Sequence, residues 1–147
     1  MGIVFITVLV YVIIMYIILA YNFRYTGDID SVLELVKEYP KRYGCDKVDE
    51  RIRDVYCRLV AKKLVFESKA DLDEEFSLSM LFALLIPLFP ILGGGYSYLS
   101  EISFPTALGF GLALYHYRRS RKYKKMAEEI ERELRMYKVM GSLSSKE

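Results

Sequence analysis

The sequence predicts an all-α polytopic membrane protein: one N-terminal transmembrane helix, a C-terminal transmembrane hairpin, a small αα segment between them and an amphipathic C-terminal helix. Residues 2–23 contain no charged side chain, and residues 76–117 contain one, Glu101. Charge is concentrated instead in residues 24–75 and 118–147. A helix of a soluble protein keeps one polar face, so long uncharged stretches are typical of segments that lie in lipid.

The first apolar stretch, residues 2–23, contains no proline. At ~1.5 Å per residue a helix of this length reaches ~33 Å, enough for a hydrocarbon core of ~30 Å. A lone strand in lipid would leave its backbone groups unpaired, so we expect a helix. The stretch has no basic residues ahead of it, and Ala20 is the one small residue near its end. We therefore expect a membrane anchor and not a cleaved signal peptide.

Residues 24–75 carry eleven Lys or Arg and thirteen Asp or Glu, which predicts a solvated segment. Ser31 and Glu34 have the spacing of a capping box, which marks the start of a helix. Pro40 and Gly44 are expected to end it. Its apolar face is predicted to be Ile29, Leu33, Val36 and Tyr39.

A second helix is predicted in the same segment, capped by Asp46 and running to about Phe66. Its apolar face is predicted to be Val48, Ile52, Val55, Leu59 and Val60. Two short amphipathic helices suggest an αα-hairpin, which at about fifty residues buries only a marginal core alone. We expect the apolar faces to pack on each other, on the membrane surface or on a partner.

The second apolar stretch is interpreted as a hairpin of two spans, residues 76–92 and 101–117. The acidic residues just before it, at 71 and 73–75, fit the start of a helix, where the helix dipole favours negative charge. Pro87 and Pro90 are tolerated in a membrane helix when neighbours pair with the carbonyls they free.

The glycine-rich turn of residues 93–98 and the shortness of the third span leave an alternative open. In that alternative, residues 76–117 form a re-entrant pair and do not cross the membrane twice. Both interpretations place the two polar segments on the same side of the membrane.

Small residues four apart in the third span predict a helix-packing face. They form two overlapping pairs: Ala107 with Gly111, and Gly109 with Ala113. Small side chains let two helix backbones approach closely in lipid, so we expect another span against this face.

Aromatic and basic residues at the end of the third span predict anchoring at the membrane surface. The candidate anchoring residues are Tyr115, Tyr117, Arg118, Arg119, Arg121, Lys122, Lys124 and Lys125. Tyrosines favour the headgroup level, and basic residues favour the cytoplasmic side and anionic headgroups. We therefore expect the N-terminus outside, residues 24–75 and the C-terminus in the cytoplasm, and no nucleic acid as partner.

Residue types that carry chemistry are scarce. The sequence contains no GxSxG, HExxH or Walker-type loop. Cys45 and Cys57 lack the paired spacing of a zinc site, so we expect buried thiols, with a disulfide left open. His116, the one histidine, is interpreted as a residue of the interfacial aromatic belt, and Glu101 as part of a wet loop. We expect no enzyme activity, cofactor or metal.

The absence of Gln and the single Asn, Asn22, suggest a thermophilic source, because hot-living organisms avoid thermolabile amides.

Three functions fit this organisation. The first is an accessory or structural subunit of a larger membrane complex. The second is a membrane-insertion factor, because three spans, a cytoplasmic helical segment and a basic tail are similar in layout to YidC-type insertases. That resemblance is one of topology alone. The third is a membrane-tethered binding module in residues 24–75.

Overall fold

The computed structural model describes residues 2–92 and 99–144, with side chains described for residues 2–89 and 99–139. The described elements are α1 (Ile3–Asn22), α2 (Ile29–Glu38), α3 (Pro40–Tyr43), a 3-10 turn (Cys45–Lys47), α4 (Glu50–Leu92) and α5 (Leu99–Ser144). Every described regular element is helical, which confirms the all-α class. The predicted glycine-rich turn of residues 93–98 lies outside the described residues.

The start of α2 differs from the prediction. Asp28, and not Ser31, is the N-cap: its carboxylate accepts a hydrogen bond from the backbone N–H of Ser31 at 2.8 Å. The Ser31 hydroxyl also donates a hydrogen bond to the Asp28 carboxylate. The hydrogen bonds from the Ser31 hydroxyl and from the Ser31 backbone N–H lower the pKa of the Asp28 carboxyl. The apolar face was predicted well except for Tyr39, which is the C-terminal cap and is exposed. Pro40 begins the short α3, and Gly44, with φ of 72°, ends it.

Helix α4 is much longer than predicted. It begins at Glu50 after Asp49, whose carboxylate accepts a hydrogen bond from Arg51 N–H at 3.0 Å, so the predicted Asp46 cap is wrong. It also continues past Phe66 to Leu92, because no Gly or Pro interrupts residues 50–86. The acidic residues at 71 and 73–75 therefore lie inside a helix and not at its start.

Helix α5 is equally continuous. It runs from Leu99 to Ser144 and includes Pro105. The predicted third span and the amphipathic tail are one helix, which confirms the expected extension. Glu101, expected in a wet loop, lies in the first turn of this helix.

The chain divides into two compact units. We call residues 1–24 and 71–120 the apolar unit, and residues 25–70 and 121–147 the polar unit. Helices α4 and α5 each contribute residues to both.

In the apolar unit, three helical segments alternate in direction. The rings of Phe5 and Phe104 stack with centroids 6.1 Å apart, and Tyr16 lies 6.2 Å from His116, so α1 and α5 run in the same direction. Tyr16 also contacts Phe76 edge-on at 5.6 Å, which sets α4 in the opposite direction. The buried core comprises Val8, Val12, Leu19, Phe76, Met80, Leu84, Ile102 and Ala113.

Among the described residues, α1 is the one helix that is long and apolar enough by itself to cross a membrane. Its buried side chains, Val8, Val12 and Leu19, form one stripe. Val4, Tyr11, Tyr16 and Ala20 are partly buried against the same core, whereas Ile3, Ile17 and Tyr21 are the most exposed large side chains of α1.

In the polar unit, α4 and α5 form an antiparallel pair on which α2 packs. Phe66 stacks on Tyr123 with centroids 6.0 Å apart, and Lys63 Nζ lies 3.3 Å from a Glu131 carboxylate oxygen. Ion pairing with Arg135 and Lys63 lowers the pKa of the Glu131 carboxyl. The buried core comprises Leu33, Val36, Cys45, Val48, Tyr56, Cys57, Val60, Ala61 and Leu134. The C-terminal helix is therefore part of this core.

Tyr11 compensates for the proline in α4. Pro87 has no N–H to donate to the carbonyl of Ala83, four residues earlier. The Tyr11 hydroxyl donates to that carbonyl at 2.9 Å. A neighbouring helix thus pairs with the freed acceptor, as a proline in an apolar helix requires.

We predict that Tyr11→Phe destabilises the protein by about 1 kcal/mol, because the Ala83 carbonyl then has no donor from α1. The measurement is the thermal unfolding midpoint in detergent. Tyr21→Phe is the matched control, because Tyr21 is 81% exposed. Equal midpoints for the two variants would contradict the assigned role of the Tyr11 hydroxyl.

Candidate functional site

A carboxylate, an imidazole and a guanidinium meet in the apolar unit. Asp73 comes from α4, and His116 and Arg119 come from α5. Residues three apart share a face of a helix, so His116 and Arg119 both face the same side of α4. Asp73 is 4% exposed and His116 is 6% exposed.

Asp73 binds both partners through both of its oxygens. His116 Nδ1 lies 2.9 Å from Asp73 Oδ1, and Arg119 Nε donates to Oδ2 at 2.6 Å. A second guanidinium nitrogen of Arg119 donates to Oδ1, which makes the ion pair bidentate. Bidentate, charge-assisted pairs are among the strongest that side chains form.

The two nitrogens of His116 have different surroundings. Nδ1 lies against the Asp73 carboxylate, which accepts a hydrogen bond when Nδ1 carries the proton. Among the described residues, nothing forms a hydrogen bond with the buried Nε2. The imidazole therefore combines one polar contact with an otherwise apolar environment.

Aromatic rings form that environment. The imidazole stacks on Phe76 with centroids 3.8 Å apart and an interplanar angle of 28°. Phe23 approaches Phe76 edge-on at 6.4 Å, from the C-terminal end of α1. Arg119 lies over the Tyr115 ring, with its guanidinium carbon 5.8 Å from the centroid. The cluster thus contacts all three helical segments of the unit.

This arrangement fastens α4 to α5 electrostatically. A carboxylate that orients a histidine is also used in acid–base catalysis, but there the far nitrogen reaches a reacting group. Here Nε2 is buried and, among the described residues, forms no hydrogen bond. The described residues also contain no group of three or more His, Cys, Asp or Glu that is placed to hold a metal ion. The chemistry that the geometry supports is the pairing of buried charge.

The interpretation of His116 as a belt residue is therefore wrong. His116 is buried because it follows the inward face of α5, whereas its neighbours Tyr115 and Tyr117 are 57% and 40% exposed. Arg119, predicted to anchor at the membrane surface, also pairs with Asp73, and its anchoring role stays a prediction.

The other predicted anchoring residues lie along one continuous helix, α5. Exposed among them are Tyr115, Tyr117, Arg118, Arg121, Lys122 and Lys125, and Lys124 is half-buried. Their role at a membrane surface remains a prediction.

The predicted packing residues divide into an inner and an outer pair. Gly109 and Ala113 are buried, and a Cβ placed on Gly109 would lie 2.5 Å from a Leu84 methyl carbon of α4. Ala107 and Gly111 are exposed, and a Cβ on Gly111 would meet nothing within 4 Å. The inner pair allows α5 to approach α4, while the outer pair leaves a shallow surface unfilled.

Glu101 provides a second polar contact at the opposite end of the unit. Its carboxylate accepts a hydrogen bond from the backbone N–H of Phe5 at 3.2 Å. The first turn of α1 has unpaired N–H groups, and Gly2 has no side chain with which to cap them. A Cβ on Gly2 would lie 2.1 Å from a Glu101 oxygen, so glycine permits the approach.

Sequence reasoning did not identify this cluster, although a signal was present. Asp73 is one of several adjacent acidic residues, and Arg119 is one of several adjacent basic residues. What distinguishes them is register: Asp73 lies three residues before Phe76 on the buried stripe, and Arg119 lies three after His116.

No family model, curated protein or solved structure matches the chain significantly.

We predict that Asp73→Ala destabilises the protein by about 3 kcal/mol, because it leaves the two nitrogen partners without their shared acceptor. Asp71→Ala is the matched control, since Asp71 is an exposed carboxylate two positions earlier. The measurement is the thermal unfolding midpoint of both variants in detergent. A loss for Asp73→Ala no larger than for Asp71→Ala would show that the cluster does not stabilise the fold.

Proposed function

We propose that the protein is an integral membrane protein that crosses the cell membrane three times. The apolar unit supports this proposal through the side chains on its outside. The large apolar side chains exposed on the α4 and α5 segments of this unit are Leu78, Leu81, Phe82, Leu85, Ile86, Phe89, Leu99, Phe104, Leu108, Phe110 and Leu114. Soluble monomers rarely expose a contiguous apolar surface of this extent, whereas lipid solvates it.

Polar groups in the apolar unit also fit this position. The buried Asp73 carboxylate contacts His116, and the Glu101 carboxylate binds the first turn of α1, so both of these carboxylates have partners within the unit. Intramembrane charge is costly unless it is paired. The basic residues from Arg118 onward support a topology in which the C-terminus and the polar unit are cytoplasmic and the N-terminus is outside, by the positive-inside rule.

A labelling experiment tests this topology. With Cys45 and Cys57 changed to Ser, the variants Leu99→Cys and Lys41→Cys each carry a single exposed thiol. We expect a membrane-impermeant maleimide to label residue 99 in intact cells and residue 41 only after permeabilisation. A re-entrant pair would leave residue 99 unlabelled in both conditions, and labelling of residue 41 in intact cells would invert the topology.

Within the membrane, we propose that the protein serves as an accessory or structural subunit of a larger complex. The observation that carries this proposal is the outer small-residue surface of α5. Ala107 and Gly111 are exposed, and open space lies beside Gly111. A surface of this kind admits the backbone of a helix from another protein. The charged groups of the unit are engaged with one another, so they supply positioning and not chemistry.

We predict that Gly111→Leu disrupts the native complex while leaving the isolated protein folded. The added side chain fills the outer surface without touching the described parts of the same chain. Native gel electrophoresis of mildly solubilised membranes measures the assembly, and thermal unfolding of the purified protein measures the fold.

Two controls make this test specific. Leu85→Phe adds bulk at an exposed position of α4 and should leave the complex intact. Gly109→Leu should lower the unfolding midpoint of the isolated protein, because it meets Leu84. Unchanged migration of the Gly111→Leu complex would count against the subunit function.

A membrane-tethered binding module is the second candidate, and one observation favours it. The polar unit has a hydrophobic core of its own. That core includes Leu134, with Ile130 and Tyr137 packed against it, so the module would comprise residues 121–139 as well as residues 25–70. Binding of a soluble partner by this unit, with no change on Gly111→Leu, would favour this function.

A further inference from the structure

The two cysteines lie together in the polar unit. Cys45 begins the 3-10 turn, and Cys57 lies in the second turn of α4. They are 0% and 3% exposed, both are free thiols, and both belong to one buried core cluster. They are twelve positions apart in the chain, so the fold brings them into the same cluster.

Local backbone geometry brings Cys45 into this cluster. Gly44 adopts a φ of 72°, a conformation that glycine tolerates best, and it turns the chain after α3. Val48 and Tyr56 are buried in the same core cluster as the two cysteines. Buried neighbours therefore hold both cysteines in one part of the core.

One of the two cysteines lines a cavity. A cavity of about 480 Å³ opens between α2 and the start of α4. Its lining residues are Lys37, Pro40, Asp46, Glu50, Arg53, Asp54 and Cys57. Cys57 therefore faces a space large enough for a small reagent, whereas Cys45 is not among the lining residues.

The thiols also differ in reactivity. Burial, with the neighbouring Cys57 as a second cause, raises the pKa of Cys45 to about 12. At neutral pH Cys45 is almost entirely a thiol, and the thiolate is the attacking form in thiol–disulfide exchange. Since Cys57 lines the cavity and Cys45 does not, Cys57 is the residue that a reagent in the cavity meets first.

We propose that Cys45 and Cys57 form a reversible disulfide site that a low-molecular-weight disulfide oxidises through the cavity. Cys57 gives its proton to water, and its thiolate attacks one sulfur of the small disulfide, forms a mixed disulfide and releases a small thiolate, which takes up a proton from water. Cys45 then loses its proton, and its thiolate attacks the Cys57 sulfur and breaks the mixed bond, and the second small thiolate that departs is protonated in turn. The protein loses two electrons and two protons, and one small disulfide becomes two thiols.

The bond would tie the 3-10 turn to α4 and close the loop between residues 45 and 57. A disulfide across a loop of this length stabilises a fold chiefly by restricting the unfolded chain. We expect oxidation to raise the thermal unfolding midpoint by about 5 °C. It would also hold the chain reversal at Gly44 in place.

The test uses the full chain in detergent, incubated at neutral pH with oxidised glutathione and then trapped with a maleimide. We expect the intact mass of the wild type to fall by two hydrogens, with neither thiol left for the maleimide and no glutathione retained. The same chain unfolded in denaturant and reduced should take up two maleimides. Two maleimides on the folded, glutathione-treated wild type would overturn the proposal, as would covalent dimers in place of the internal bond.

Two variants test the order of the steps. Cys45→Ser should retain one glutathione on Cys57, because the second sulfur is missing. Cys57→Ser should remain unmodified, because the remaining thiol is buried and protonated. Glutathione on Cys57→Ser and none on Cys45→Ser would reverse the assignment of the reactive thiol. The intact mass and maleimide uptake of the wild type show whether the disulfide forms, even where a variant fails to fold.

Discussion

A carboxylate buried inside an apolar helical unit constrains much of the structure around it. Asp73 needs donors on both oxygens, and α5 supplies them from His116 and Arg119. Since these donors lie on one face of α5, the pairing defines which face turns inward. The rotation of α5 in turn buries Gly109 and Ala113 and leaves Gly111 outside. The pairing of Asp73 with His116 and Arg119 therefore requires the same rotation of α5 as the packing of Gly109 against α4.

Polar contacts at helix ends and breaks complete this unit. Glu101 binds the first turn of α1, and Tyr11 pairs with the carbonyl that Pro87 frees. Each contact joins α1 to one of the other two segments. Apolar packing alone is non-directional and would permit several rotations of α1. These two hydrogen bonds are directional, so they select one rotation and one depth.

The all-α class and the amphipathic tail followed from the sequence because segregated charge and helical periodicity are local signals. Helix ends were harder, since Asp28 and Asp49 act as caps where Ser31 and Asp46 had matching patterns. The break expected after Phe66 rested on a change in polarity, which does not end a helix without glycine or proline.

The buried cluster could not be predicted because its partners are 43 and 46 residues apart in the chain. Polarity placed His116 with its exposed neighbours, whereas register on α5 turned it inward. Tyr56 was missed for a related reason: Val55 was assigned to the buried face, and it is 49% exposed, whereas Cys57 is buried as expected. When the buried face of a helix is assigned one residue out of register, an exposed residue such as Val55 is taken as buried and its buried neighbour Tyr56 is missed.

The bond between Tyr11 and Ala83 has a consequence for biosynthesis. The donor is 72 residues closer to the N-terminus than the acceptor. Synthesis proceeds from the N-terminus, so α1 leaves the ribosome well before Pro87 does. The helix segment that contains the proline then meets a donor that is already in place. The hydroxyl that pairs with the Ala83 carbonyl is therefore synthesised before the carbonyl itself, so α4 can pack on α1 without a later segment.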